Sequence, residues 1–446
     1  MQGLVILGAG LSGLGCALNA PGAKIFEAQS HLGGHAYSHQ QDGVYFDQGA
    51  HISHSKNPTF VEMIKKSAKD VVEIPKSHVQ NYYQGKWFTY PVQNHLHEQP
   101  LEVKTAALQD LIDAHLEQAA NPKTPENYLE WCIAQYGDFL TEKFYKVYTK
   151  KYWRCEMQDL SIDWLGGRLL PSQLHKIIAG SLGPQPESQA AFAAFRYPAQ
   201  GGFFGFFESL YKGLDISTKM KAVEIDPIKQ WVKFENGQKE HYQHLASSIP
   251  LNQLIRIIKD APATIQQAAE KLRCTKLLCV NLVINQPKLT DNHWFYIYDP
   301  EVEFSRVSVP SNLSPVALAE GKTALQAEIF RRDDEDLNID ELVEHAVQQL
   351  SKMLNFRVIE DIQSINHIFV PRAYILSDHQ RATAVSEITA WLKQFNIITM
   401  GLYGRWNYIW SDVAFHQGQE AANKITEQKY DSAGNIARSS RIQRAG

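Results

Sequence analysis

The chain opens on a short unbroken apolar run, residues 3–7 (GLVIL). A run of that kind suits a strand buried on both faces of a parallel sheet. A glycine-rich turn follows, then a helical stretch from about 11 to 20, stopped by Pro21 and Gly22. Residues 23–26 read as a second strand, which gives a βαβ-like opening. Between about 101 and 178 the apolar spacing becomes helical, in a segment rich in Leu, Ala, Gln and Glu. The Pro-containing segment 183–190 reads as a linker. Strand-like runs then recur at 222–235, 276–285 (KLLCVNLVIN), 292–298 (NHWFYIY) and 304–309. A helix is expected at 340–354, and strands at 365–370 and 396–400. No internal repeat is visible. The last sixteen residues are polar, and Arg438, Arg441 and Arg444 there fit a frayed, solvated tail better than a binding patch.

A chain of 446 residues is too long for one small core, so two or three subdomains are expected. Nine Trp, nineteen Tyr and twenty Phe provide aromatic surface for a large core and a pocket for a flat ligand. The formal net charge of −4 gives no basic excess to neutralise a phosphate backbone, so nucleic acid is not an expected partner. Five scattered cysteines (Cys16, Cys132, Cys155, Cys274, Cys279) form no CxxC pair. They point to neither a disulfide framework nor a zinc site, and a reducing, cytoplasmic setting fits. No run approaches eighteen apolar residues, so neither a membrane span nor a signal peptide is expected.

The candidate chemistry begins at residues 8–13, GAGLSG, a G-x-G-x-x-G turn placed after a strand and opening a helix. Gly8 permits the tight turn, Gly10 lets backbone amides approach a pyrophosphate, and Gly13 lets helix and strand come close. The following amides, from Leu11 and Ser12 onward, offer the partial positive charge of a helix N-terminus. Glu27 ends the second strand nineteen residues after Gly8, where a carboxylate can accept hydrogen bonds from an adenosine ribose. Gly33 and Gly34 supply a second glycine pair. Two glycine-rich phosphate contacts favour non-covalent FAD over NAD. The expected fold is α/β (α+β overall), with a Rossmann-like FAD domain of the glutathione-reductase type.

The stretch 25–56 (IFEAQSHLGGHAYSHQQDGVYFDQGAHISHSK) resembles the UDP-galactopyranose mutases, members of the amine-oxidase and protoporphyrinogen-oxidase flavoprotein superfamily. Collinear similarities continue at 153–168 (WRCEMQDLSIDWLGGR), 195–202 (FRYPAQGG), 311–315 (SNLSP) and 401–408 (GLYGRWNY). The resemblance implies that Gly49, Ala50 and His51 lie beside the isoalloxazine ring, with Gly201 and Gly202 near it and Val223 on the adenine side. Met400, Gly401 and Tyr408 would close the flavin–sugar junction. Trp153 and Arg168 would line a nucleotide-sugar cleft, and His51, Arg168 and Tyr408 would serve catalysis. Tyr408 also stands between Trp406 and Trp410, an aromatic run that equally suits packing.

The departures are as specific as the matches. Mutases hold the substrate diphosphate with arginines, whose bidentate fork matches phosphate geometry. Asn285 occupies the expected place of one, and Leu402 that of another, with Arg306 and Arg405 close enough in sequence to substitute. The resemblance implies ring interconversion of a nucleotide-linked sugar, with N5 of the reduced flavin as nucleophile. The alternatives are an oxidoreductase working by hydride transfer, and a flavin-binding relative without turnover. No metal is expected, because His51 and His54 form an i, i+3 pair with no third candidate ligand. The domain layout implied is an FAD-binding part at 1–75, 190–260 and 360–430, a helical cap at 76–189, an antiparallel sheet at 261–359 and a flexible tail at 431–446. Oligomeric state is not encoded in any pattern visible here.

Overall fold

The computed structural model describes the chain apart from residues 2, 167, 170, 186–191, 315–320 and 443–446, and beyond 427 it describes only the backbone path. The chain forms two compact units. One comprises Met1–Tyr37, Phe207–Leu272 and Gln380–Gly446; the other comprises Ser38–Phe206 and Arg273–His379.

The first unit is built on a five-stranded parallel sheet in the order Ile397–Thr399, His244–Ser247, Leu4–Leu7, Lys24–Phe26, Asp215–Ser217. Every neighbouring pair in it is parallel. Leu4–Leu7 is the central strand and all four of its residues are buried. A central strand without a solvent face has no use for polar alternation, hence the unbroken apolar run. The helix Leu11–Leu18 follows directly, with seven of its eight residues buried. It crosses the long helix Ser411–Ile442 at backbone contact distance. A Cβ on Gly15 would lie 2.1 Å from the Phe415 carbonyl oxygen, and one on Gly418 would lie 1.9 Å from that of Ser12. That long helix runs past 431, where the sequence suggests only a frayed tail.

The second unit carries a seven-stranded sheet in the order Ile362–Val370, Thr275–Ile284, Thr323–Arg332, Arg306–Ser308, Trp294–Ile297, Val79–Tyr83, Lys86–Thr89. It is antiparallel except where Val79–Tyr83 pairs parallel with Trp294–Ile297. One face is apolar: Leu278, Val280, Leu282 and Ile284 alternate along one strand, Leu325, Ala327 and Ile329 along the next. The amphipathic helix Ile339–Leu354 buries Leu342, Ala346, Val347 and Leu350 against them. At roughly 2 kcal/mol for each large aliphatic chain removed from water, this face is a main source of the unit's stability. Among the described residues, four α-helices lie in or extend from the segment that reads as helical: Leu101–Ala120, Tyr128–Leu140, Lys146–Tyr152 and Leu174–Leu182, the second and third joined by a π-helical turn, Thr141–Tyr145. The hairpin of Val79–Tyr83 and Lys86–Thr89 precedes them. The expected linker is described only up to 185, and Gly167 lies outside the described residues.

Candidate flavin and substrate sites

The glycine turn of the first unit is held by backbone contacts that leave no room for side chains at two of its three glycines. Gly8 has φ +95°, and a Cβ there would meet Ser248 Oγ at 2.3 Å. A Cβ on Gly13 would stand 2.0 Å from the Gly8 carbonyl oxygen, so glycine sets the strand-to-helix spacing. Gly10 is different. Its φ of −75° is open to any residue, and the nearest protein atom to an added Cβ is 3.9 Å away. Nothing within the protein requires glycine at 10, which is what a surface reserved for a ligand backbone would show. The helix Leu11–Leu18 has no side-chain cap at its N-terminus and no acid in its first turn. Its first amides, of Leu11, Ser12 and Gly13, are therefore offered outward, where phosphate is the matching chemistry. This arrangement fits FAD.

The second glycine pair sits against the first. Gly33 N donates to Ala9 O at 2.9 Å, and Gly10 and Gly33 form a parallel bridge. Gly34 has φ +55°, and its added Cβ would be 3.1 Å from Gly10 Cα. Glu27 is buried, and its two oxygens accept the amides of Ala9 and Gln29, each at 2.8 Å. The acid thus braces the turn while each oxygen keeps a second lone pair for a ribose hydroxyl. Tyr211 completes the brace by donating to Ala9 O at 2.8 Å. Gly401, with φ +77°, faces Ser12, whose Oγ would lie 2.3 Å from an added Cβ. Met400 is fully buried and donates its amide to Ser247 O. Val223 stands at a β-bulge in the strand Ala222–Asp226 and is about one-third exposed. Tyr408 is half-buried, with its ring 6.3 Å from that of Trp410. Arg405 is engaged by Thr399 O at 3.1 Å and by Glu420.

In the second unit the segment 47–51 (DQGAH) is fixed by side chains instead. Gly49 has φ +87°. Ala50 N donates to Glu328 Oε1 at 2.8 Å, and His51 Nδ1 lies 2.9 Å from Gly49 O. A carbonyl can only accept, so Nδ1 carries the hydrogen and neutral His51 presents Nε2 as its acceptor. Glu328 is wholly buried and pairs in register with Arg306, whose Nε and Nη2 reach its carboxylate at 2.7–3.1 Å. Burial disfavours the Arg306 charge, but the Glu328 carboxylate outweighs it and holds the guanidinium well above its ordinary pKa. Two residues along the strand, Gln326 donates to both Asp47 O and Asn281 Oδ1 at 2.9 Å. Asn281, Gln326, Glu328 and Arg306 form a polar face on the sheet, opposite its apolar one.

That face extends toward one of the expected substrate residues. Tyr374 OH lies 3.5 Å from Arg306 Nη2, and the Tyr374 ring is 5.7 Å from the Trp153 ring. Trp153 is buried in a cluster with Tyr152 and Trp164. Arg168 is half-buried at a turn, its amide bonded to Leu165 O. Asn285 is exposed, one residue past the strand Thr275–Ile284, with its amide on Asp361 O at 2.7 Å. It lies about 13 Å along the chain from Asn281, so it does not join the polar face. His54 packs edge-on against Phe192. Among the described residues no group of three or more His, Cys, Asp or Glu could hold a metal, and all five cysteines are free.

Sequence reasoning passed over Asp47, Asn281, Gln326 and Glu328. For the last three the signal was present: Asn281 in the middle of KLLCVNLVIN, and Gln and Glu alternating with apolar residues in TALQAEIF, are polar groups where a buried strand has no solvent to offer them. The strand Thr323–Arg332 itself was not foreseen.

The chain is 28% identical over 168 residues to a Klebsiella pneumoniae protein described as "Probable UDP-galactopyranose mutase", a match covering 36% of this chain and 43% of that protein's length. Its fold is similar to that of reduced UDP-galactopyranose mutase, with TM-score 0.87, 23% identity and 95% of each chain covered. A candidate protoporphyrinogen oxidase from Exiguobacterium sp. 255-15 is also similar in fold, with TM-score 0.74 and 17% identity over 95% of this chain and 98% of that one. The family model of flavin-containing amine oxidoreductases matches residues 21–380. With that match over most of its length, and the glycine cradle that fits the cofactor, the chain belongs to the flavin-containing amine oxidoreductases and is an FAD-dependent enzyme.

Proposed function

We propose that the protein is a mutase that interconverts the pyranose and furanose forms of a nucleotide-linked sugar. The observation that carries this reading is the polar face of the second unit. There the expected sugar-side residues Trp153 and Arg306 connect through Tyr374 and Glu328 to Ala50 of the expected ring-side turn. Buried hydrogen-bonding groups suit a polyol, whereas hydride abstraction from a C–H bond, such as the one next to an amine nitrogen, needs only an apolar pocket. The collinear mutase-like segments and the similarity to the Klebsiella protein support the same reading.

When bound, reduced FAD would supply the nucleophile for such a reaction. The chain's own part is to bind and orient. The amides of Leu11, Ser12 and Gly13 would hold the pyrophosphate, with Gly8, Gly10, Gly33 and Gly34 allowing its approach. Glu27 would accept the ribose hydroxyls, and Val223 would border the adenine. Gly49, Ala50 and His51 would border the flavin ring. Trp153, Arg168 and Arg306 would contact the substrate; Asn285, apart from the polar face, would not. His51 Nε2 is the acceptor available to a sugar hydroxyl. Since Glu328 already engages Arg306, its guanidinium would orient a phosphate without adding a full unpaired charge. Among the described residues no helix is long and apolar enough to cross a membrane.

A second reading is hydride transfer by oxidised flavin. It is favoured by the family's description and by Asn285 and Leu402 standing where mutases place arginines. One experiment separates the two. The holoenzyme is reduced with dithionite, kept anaerobic, and incubated with a panel of nucleotide sugars including UDP-galactose. Ring-size conversion by the reduced form alone supports the mutase. Substrate-dependent bleaching of the oxidised form, with peroxide in air, supports the oxidoreductase and overturns the first reading.

A further inference from the structure

Asp47 ends the strand Val44–Asp47 and is buried. Burial raises its pKa, and the neighbouring His51 ring and its hydrogen bonds oppose that rise; among the described residues it forms no ion pair with Lys or Arg. Instead three neutral donors converge on it: Ser38 Oγ, Tyr197 OH at 2.7 Å and the amide of Phe203 at 3.0 Å. Its carbonyl oxygen accepts Gly49 N at 3.0 Å and Gln326 Nε2 at 2.9 Å. Ser38 Oγ in turn accepts the Phe204 amide at 3.1 Å. Consecutive amides of the 201–204 turn are therefore anchored on Asp47 and Ser38. The turn is pressed onto them: Gly202 has φ +62°, and an added Cβ would be 2.4 Å from Ser38 Oγ and 3.0 Å from Asp47 Oδ1. The Phe203 ring stands 5.2 Å from the His51 ring.

Burying a carboxylate is costly, and asparagine has nearly the same shape. Asparagine would keep an acceptor for Ser38 and Phe203 but turn an NH2 group toward Tyr197, whose hydroxyl would then have to accept instead of donate. The carboxylate accepts from all three without that reversal. We infer that Asp47 is a positioning residue for the cofactor: through one carboxylate it fixes the 47–51 segment and the 201–204 turn relative to each other. The inference rests on the proposed placement of Gly49–His51 and of Gly201 and Gly202 beside the flavin ring. Glu328 holds Ala50 independently, so the turn has two buried carboxylates as anchors, and Asp47 is the one that ties in the second turn.

The test compares holoenzyme with the variants Asp47→Asn, Tyr197→Phe and Gly49→Ala. It reads the FAD dissociation constant, the visible absorption bands of bound flavin and the flavin reduction potential beside thermal stability. Asp47→Asn is expected to weaken FAD binding about tenfold and to shift the bands and potential. Tyr197→Phe, which removes one donor and keeps the charge, is expected to act in the same direction by about threefold. A loss of thermal stability with an unchanged dissociation constant, spectrum and potential makes Asp47 a purely structural residue and overturns the inference. Should Asp47→Asn not fold, unchanged readings in Tyr197→Phe overturn it equally. Gly49→Ala separates the two layers. If it perturbs the flavin and Asp47→Asn does not, only the positioning role fails; if Gly49→Ala leaves flavin binding and spectrum untouched, the ring-side placement itself fails.

Discussion

The two units present polar groups with opposite materials. In the first, the site is backbone: amides at an uncapped helix start, brought close by glycines and braced by Glu27. In the second, it is side chains on neighbouring strands, where Asn281, Gln326, Glu328 and Arg306 satisfy one another and hold a turn between them. A backbone site is sensitive to added volume. A side-chain site in a buried sheet is sensitive to lost partners, because each remaining polar group is stranded away from water.

The comparison predicts a graded set of responses. The largest belongs to Glu328→Leu, which leaves Arg306 charged and unpaired; urea unfolding should show a loss of about 3–5 kcal/mol. The double variant Glu328→Leu with Arg306→Met should recover most of that loss, and failure to recover would mean the pair does more than neutralise itself. Next comes Gly13→Ala, whose methyl group meets a backbone oxygen at 2.0 Å. It should cost about 1–3 kcal/mol in the apoprotein as well as FAD affinity. A variant of full stability would show that the strand-to-helix spacing has slack.

A pH effect of smaller size should trace to the second unit. Lys151 donates to Asp299 O and Val302 O, and burial, partly opposed by Asp299, Glu303 and Glu301, lowers its pKa to about 7. A folded pKa below the unfolded value means that its contribution is present above about 10.5 and lost as pH falls toward about 7. Unfolding midpoints should therefore rise between pH 7 and 10, by an amount on the order of 1 kcal/mol after solvent screening, and this rise should vanish in Lys151→Met. The smallest effect is expected at the exposed pair Lys24–Glu240 of the first unit. Lys24→Ala should change stability by less than about 0.5 kcal/mol, and a larger change would give that surface an importance its exposure does not suggest.

What could be read from the sequence follows the same division. The glycine turn, its flanking strands and Glu27 are contiguous, and their spacing is dictated by one local conformation, so residues 3–27 reveal the cofactor fold almost alone. The long strand Thr275–Ile284 was legible as an almost unbroken apolar run, nine of its ten residues being buried, and the helix Ile339–Leu354 because its period is set by a single buried face. The strand Thr323–Arg332 was hidden by the polar residues of the second unit's sheet face: Gln326 and Glu328 interrupt the apolar run, and only pairing with Asn281 and Arg306 explains them. Asp47 was equally opaque, since its partners Tyr197 and Phe203 lie some 150 residues away in sequence. Arg306 illustrates the limit from the other side. Its position near a lost arginine was readable, but its commitment to Glu328 was not.

Gly10 offers the most direct trial of the account, because the protein leaves space there that only a ligand needs. The measurement is the FAD content and dissociation constant of purified wild-type protein and of Gly10→Ala, with the thermal stability of both apoproteins. Wild-type protein should carry one releasable FAD per chain, and the variant should fold with unchanged apoprotein stability yet bind FAD at least about tenfold more weakly. A wild-type protein that takes up no flavin, or a Gly10→Ala variant that binds it as tightly, would contradict the claim that this turn grips the cofactor.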